Sequence, residues 1–189
     1  MAWLSESEMR GMGFRRLGDG VRISDGAKIY RPENISIGDH CRIDDFAILT
    51  PAREGHLELG SRVHISAYCM IEAPVSVVFE DFSGLAGRVS VYGSSDDYLG
   101  RYLTNPCVPM RYRKVSTAPI RFGRHAIIGA SSVILPGAQI GEGCAVGALS
   151  LVSGTLQPWG VYVGSPARRR AERSRDLLEL ERALLAEAE

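Results

Sequence analysis

Four histidines, His40, His56, His64 and His125, are the side chains whose ordinary proton affinity suits proton transfer near neutral pH. Their spacings of 16, 8 and 61 residues contain no tight pair. Cys41, Cys69, Cys107 and Cys144 show neither CxxC nor zinc-ligand spacing, so the expectation is no metal site and acid–base chemistry instead. The carboxylates that could work with a histidine are Glu72 and the adjacent pair Asp96 and Asp97. The pair opens a polar stretch that runs from Ser94 through Tyr98, Asn105-Pro106 and the basic residues Arg111, Arg113 and Lys114 to Ala118. A carboxylate beside a base can hold an ammonium group or orient an imidazole.

Composition removes several other classes of function. Twenty-two basic and 22 acidic residues give a formal net charge of +0, so there is no general pull toward nucleic acid or anionic lipid. Hydrophobic residues at 45% and charged residues at 23% match a globular domain, one or one plus a short appendage. No apolar run is long enough to span a membrane, and Met1–Glu6 lacks the basic and apolar regions of a secretory signal. With cysteines read as reduced thiols, the expected location is the cytoplasm.

The elements that must position these residues follow from a repeat. Phe122, Ile128, Ile134, Ile140, Val146 and Val152 fall six apart, and the fifth residue of each unit is mostly small: Ala126, Ser132, Ala138, Cys144, Ser150. The same phase holds at Ile23 and Ile29; Ile37, Ile43 and Leu49; Leu59, Ile65 and Ile71; and Phe79, Leu85 and Val91. Six fits neither a helix nor simple alternation. It fits a prism in which each hexapeptide supplies one strand and one turn, and three of them close a triangular coil. The aliphatic residue points inward and the small fifth residue fills the corner. An ordinary sandwich of short strands would not keep 17 starts in phase.

The repeat predicts an all-β solenoid over 21–156, with an extended loop at 94–119 where the spacing from Val91 to Phe122 opens to 31. A lead-in over 1–20 includes a helix at 5–17 capped by Ser5 with Glu8 three residues later. A C-terminal extension over 157–189 includes a helix at 167–187, whose Leu177, Leu180 and Leu184 stripe would cover the end of the stack.

Stacking places Ile71 beneath Val91, so Glu72 and Tyr92 become vertical neighbours at the corner that launches the loop. His64 precedes the inward Ile65 and points off the prism, one coil below the loop. It lies on a different face from Asp96, so two subunits would be needed to unite them. His40 and His125 occupy turns, and His56 lies in the polar interruption Ala52–His56.

The run Ile128-Gly129-Ala130-Ser131-Ser132-Val133-Ile134-Leu135-Pro136-Gly137, then Ile140-Gly141, resembles the hexapeptide-repeat acyltransferases with a left-handed parallel β-helix. Val163-Gly164-Ser165-Pro166-Ala167-Arg168 is similar to their C-terminal signature, and Ser95-Asp96-Asp97-Tyr98 with Thr104-Asn105-Pro106 resembles the short sugar acetyltransferases of surface-polysaccharide synthesis. The resemblance implies an acetyl-CoA-dependent homotrimer with sites between subunits. The substrate it implies is a sugar, with N-acetylation of a nucleotide-linked amino sugar for lipopolysaccharide or another surface glycan preferred over O-acetylation. It implies pantetheine contacts at Gly129, Ala130, Gly147, Ala148 and Ser150, and phosphate contacts at Arg168, with Arg169 or Arg170 beside it. Substrate contacts would come from Glu72, Asp97, Tyr98 and Asn105.

One departure matters. Relatives carry a catalytic histidine just after the strand equivalent to Val91-Tyr92, where this chain has Ser94-Ser95-Asp96-Asp97. The base is therefore reassigned to His64, with Asp96 holding the amine or orienting the imidazole; Asp96 itself and His125 stay open as alternatives. A carbonic-anhydrase-like metal enzyme and a non-catalytic β-helix are the competing classes.

Overall fold

A computed structural model describes residues 2–187. Three parallel sheets form the sides of a triangular prism, seven coils high. The first face stacks Arg16–Leu17, Ile35–Ile37, His56–Leu59, Ser76–Phe79, Ile120–Phe122, Gln139–Ile140 and Thr155–Leu156. The second face carries Arg22–Ile23, Arg42–Ile43, His64–Ile65, Gly84–Leu85, Ile127–Ile128, Ala145–Val146 and Gly160–Val163. The third carries Lys28–Ile29, Ile48–Pro51, Met70–Ala73, Ser90–Tyr92, Val133–Ile134 and Leu151–Val152. This is the parallel β-helix that the hexapeptide phase requires.

The in-phase aliphatic residues fill the prism. Ile23, Ile43, Ile65 and Ile128 stack on one face and Leu49, Ile71, Val91 and Ile134 on another, each with no surface exposed. Phe79 and Phe122 take the place of two aliphatics with rings stacked 4.1 Å apart. The fifth residues sit inside the corners. Three of them are cysteines, whose thiols donate to carbonyls of neighbouring turns: Cys41 to Gly60 at 2.9 Å, Cys69 to Ala86 at 3.1 Å and Cys144 to Gln157 at 3.1 Å. Burial pushes Cys41 and Cys69 up to about 11, so these thiols stay protonated.

The corner preceding the second face turns through a residue in the left-handed region, and in this chain most of those residues are not glycine. His40, Arg62, Phe82, His125 and Trp159 have φ between 56° and 59° in that column. Such a conformation costs an L-residue about 1–2 kcal/mol. A backbone bond to the coil below offsets the cost at each: His40 N–H to Asp19, Arg62 N–H to Asp39, Phe82 N–H to Ser61, His125 N–H to Asp81.

The solenoid extends past the expected 21–156 span at both ends. Arg16–Leu17 pairs with Ser36–Ile37, and Val161–Tyr162 pairs with Ala145–Val146. Leu17 continues the six-residue phase one step below Ile23. The N-terminal helix is shorter than 5–17: α1 covers Glu6–Gly11, with the Ser5–Glu8 capping box formed.

The C-terminal reading is corrected more deeply. Arg168–Glu172 is an antiparallel strand on the second face, and α2 covers only Leu177–Ala186. Its leucines do not cover the stack: Leu180 is 72% exposed. The one buried residue of α2 is Glu181, which meets the Arg124 guanidinium and the His125 ring at the corner, the latter at 2.9 Å. Arg173 reinforces the joint by donating to the His125 and Gly143 carbonyls at 2.8 and 3.1 Å. Charge, not a leucine stripe, seats the helix.

Candidate active site

The loop that leaves the third face after Tyr92 returns as Ser116–Thr117, which pairs antiparallel with Ser94–Ser95. Between this ribbon and the outer side of the third face lies an open cleft of about 880 Å³. Its floor comes from outward residues of stacked strands. Thr50, Glu72 and Tyr92 form one vertical column, as Tyr92 pairs with Glu72 and Thr50 with Glu72 across the ladders. Met70 and Val133 lie beside them, and Asp96, Tyr98, Pro106 and Arg113 come from the loop.

Three carboxylates meet this region in three different states. Glu72 accepts the Ser94 hydroxyl, 3.1 and 3.0 Å from its two oxygens. Asp96 accepts the Asn105 N–H at 3.1 Å and the Arg113 guanidinium at 3.1 Å, which together hold its carboxyl below the ordinary range. Asp97 turns away and caps the loop, taking the N–H groups of Leu99, Arg101 and Tyr102 at 3.0, 2.6 and 2.9 Å. Those bonds depress its pKa too. Asp97 is therefore occupied with holding the loop, and Asn105 does similar work, its side-chain oxygen accepting the Cys107 N–H at 3.0 Å. Tyr98, 90% exposed, stands at the mouth.

His64 does not line this cleft. It projects from the second face into a separate groove of about 450 Å³, with Arg62, Ser66, Phe82, Gly84, Ala86 and His125 among its walls. The residue above His64 in the ladder is Gly84, where a Cβ would sit 3.2 Å from the His64 carbonyl oxygen. His64 Nε2 lies 2.8 Å from the buried Asp44 carboxylate. His125, the alternative base, is buried and bonded to Glu181, which makes it part of the α2 joint. His40 sits in the same corner column and His56 on the first face, so among the described residues the four histidines form no cluster.

Small residues line the corner between the second and third faces over several coils, with Ser66, Ala86, Gly129 and Gly147 in one column and Ala67, Gly87, Ala130 and Ala148 in the next. A slender chain could lie on this track, which ends near Gly164 and the exposed Arg168. The glycines nonetheless have a nearer cause than ligand approach. A Cβ on Gly129 would meet the Ala148 amide and come within 2.6 Å of the Gly147 carbonyl carbon, so coil stacking itself demands glycine. Ala130 and Ala148 are exposed. Ser150 is not available as a surface contact: it is 2% exposed, and its hydroxyl donates to Gly147 O at 2.8 Å and accepts the Gly164 N–H at 3.1 Å.

A parallel β-helix with a looped-out cleft and a small-residue track defines the architecture of hexapeptide-repeat acyltransferases. The relatives make the assignment specific. The chain is 41% identical over 181 residues to dTDP-4-amino-4,6-dideoxy-D-glucose acyltransferase of Escherichia coli, covering 96% of this chain and 94% of that protein. It superposes with a TM-score of 0.94 and 40% identity on AntD, an N-acyltransferase from Bacillus cereus in complex with dTDP and 3-hydroxybutyryl-CoA, over 98% of this chain and 97% of that one. GDP-perosamine N-acetyltransferase from Caulobacter crescentus shares the fold alone, at 15% identity and a TM-score of 0.58 over 88% of this chain and 62% of that one. No protein-family model matches the chain. The chain belongs to the hexapeptide-repeat sugar acyltransferases and is an enzyme of that class.

No described helix is long and apolar enough to cross a membrane.

Proposed function

We propose that this enzyme transfers an acetyl or short acyl group from its CoA thioester to the amino group of a nucleotide-linked amino sugar of the dTDP-4-amino-4,6-dideoxyglucose type. The observation that carries the reading is Glu72, a carboxylate on the cleft floor whose only side-chain partner among the described residues is a neutral hydroxyl. A carboxylate so placed attracts an ammonium group, which favours N-acylation over O-acylation; a sugar hydroxyl has no charge for it to hold.

The thioester supplies an activated acyl carbon. The chain's residues bring the amine to it and manage the proton. Glu72 holds the amino group, with Asp96 kept ionised by the Asn105 N–H and Arg113 as a second negative charge in the same cleft. The bound ammonium first gives up one proton to solvent; His64 then takes a proton from the neutral amine as the C–N bond forms and returns it to the departing thiolate as the C–S bond breaks. Arg168 at the end of the small-residue track is the phosphate contact, and Ala130 and Ala148 lie along the pantetheine.

Because His64 and Glu72 open on different faces, the working unit in this reading is a homotrimer, in which the groove of one subunit faces the cleft of the next. The protein would act in the cytoplasm, where acyl-CoA is made, and feed a lipopolysaccharide or other surface-glycan assembly.

The direct test supplies acetyl-CoA and dTDP-4-amino-4,6-dideoxyglucose to the purified protein. Release of free CoA thiol together with an N-acetylated nucleotide sugar by mass spectrometry supports the assignment. Turnover of the 4-hydroxy sugar in place of the amine would replace it with O-acylation.

A further inference from the structure

Behind His64, outside the groove's lining, lies a carboxylate that the acyl transfer does not use. Asp44 lies on the turn after Arg42–Ile43, one coil below Ser66, and its side chain is 6% exposed. A carboxylate that deep needs partners. It has two: Arg42 Nε at 2.6 Å on one oxygen and His64 Nε2 at 2.8 Å on the other. Burial alone would raise the Asp44 pKa, but the bonds from Arg42 and His64 outweigh it and keep the carboxyl below its ordinary value.

His64 itself is 47% exposed, and its second ring nitrogen has no protein partner among the described residues. The ring is thus fixed at one end and open at the other. Other charged or titratable groups facing the groove are Arg62 and His125 from the corner column and Arg173 from the C-terminal extension; none is a carboxylate. Among the described residues, Asp44 is the one negative group in contact with the imidazole.

Building on His64 as the base, we propose that Asp44 is its positioning residue. The Asp44 carboxylate accepts the Nε2 proton, which selects the tautomer that leaves Nδ1 bare and turned toward the groove. When Nδ1 takes the amine proton, the ring becomes an imidazolium whose charge Asp44 balances; when Nδ1 yields the proton to the departing thiolate, the neutral Nε2–H tautomer is restored. No proton moves onto Asp44, and Arg42 stays bonded to its other oxygen throughout.

The two variants Asp44→Asn and His64→Ala, assayed for kcat and both KM values, test this. Asp44→Asn is expected to lower kcat roughly 10²-fold, with little change in KM for either substrate. Loss of thermal stability with an unchanged kcat would make Asp44 a structural anchor for Arg42 and overturn the proposal. If His64→Ala keeps normal turnover, the base assignment fails and this inference with it. If His64→Ala is inactive while Asp44→Asn is fully active, only the inference fails. Should Asp44→Asn not fold, nitrogen NMR of the imidazoles in the unaltered enzyme decides: a neutral His64 protonated on Nε2 supports the proposal, and one protonated on Nδ1 refutes it.

Discussion

Ser94 and Glu72, 22 residues apart, join the loop to the β-helix through one hydroxyl that reaches both carboxylate oxygens. The contact leaves Glu72 as a carboxylate held in place by a weak neutral donor and open to the cleft. Glu72→Gln keeps the size and one acceptor but removes the charge. It is expected to raise KM for the amino sugar by roughly 10-fold or more while leaving CoA affinity intact, the loss of one charge-assisted hydrogen bond. Steady-state kinetics with each substrate varied in turn checks it.

The shared-site reading makes a sharper claim about two residues. At amino-sugar concentrations far below KM, His64→Ala should be nearly inactive and Glu72→Gln should keep roughly a tenth of the rate or less. Unfolded together and refolded as mixtures, they should recover activity, since some interfaces then join an intact groove to an intact cleft; random mixing restores about a quarter of the sites. Zero recovery from mixed trimers, or a fully active monomer by sedimentation, would remove the inter-subunit site.

The cofactor track separates two substitutions that the sequence alone treats alike. Ala148 is exposed, so Ala148→Trp should fold normally and weaken CoA binding. Gly129→Trp cannot be used for this purpose, because any Cβ at Gly129 runs into the backbone of the next coil. It should lower Tm sharply, or prevent folding, before any effect on CoA is read. Calorimetry of CoA binding with melting curves for both variants distinguishes the two causes.

Much of this was legible in the sequence and some was not, for identifiable reasons. Six-residue phase fixes the inward column, and through it the vertical pairing of Ile71 with Val91 and of Glu72 with Tyr92. Both follow from stacking geometry, which repeats along the chain. Asp44 beside His64 follows from the same geometry, since 20 residues make roughly one coil here, but the pairing is diagonal and shows only once side-chain reach is known. The loop obeys no period. Asp97 reads as a ligand by type and turns out to cap backbone, while Arg113, part of a basic run, supplies the Asp96 partner. At the C-terminus a leucine spacing of three and four suggested a covering helix, and the decisive residue was Glu181, whose partners Arg124 and His125 lie over 50 residues away.

That joint has its own consequence. Glu181→Ala leaves the buried His125 ring without its acceptor and the partly exposed Arg124 without its counter-charge, a loss expected to cost about 1–3 kcal/mol locally. Helix α2 should detach, seen as faster proteolysis after Arg173 or Arg175, while the solenoid core keeps its cooperative melt. Unchanged proteolysis would mean that the joint does not depend on this ion pair.

Asp96 is the residue on which the choice of base turns. Its carboxyl is held below the ordinary carboxylate range by the Asn105 N–H and by Arg113, so it stays ionised throughout the neutral range and is a weak proton acceptor there. The sign follows: what this pairing contributes to the ordered loop is fully present above the ordinary carboxylate pKa and is lost only as pH falls through the lowered one. Activity should therefore show no limb near neutrality that belongs to Asp96. Asp96→Asn keeps an oxygen for the Asn105 N–H but leaves the Arg113 charge, 11% exposed, without its partner. The expected result is a KM for the amino sugar that rises more than kcat falls, together with a more protease-sensitive loop. His64→Ala should instead lower kcat by roughly 10²–10⁴-fold with near-normal CoA affinity. If Asp96→Asn is dead while His64→Ala turns over normally, the carboxylate is the base, and the aspartate has taken over from the histidine that relatives carry at this loop.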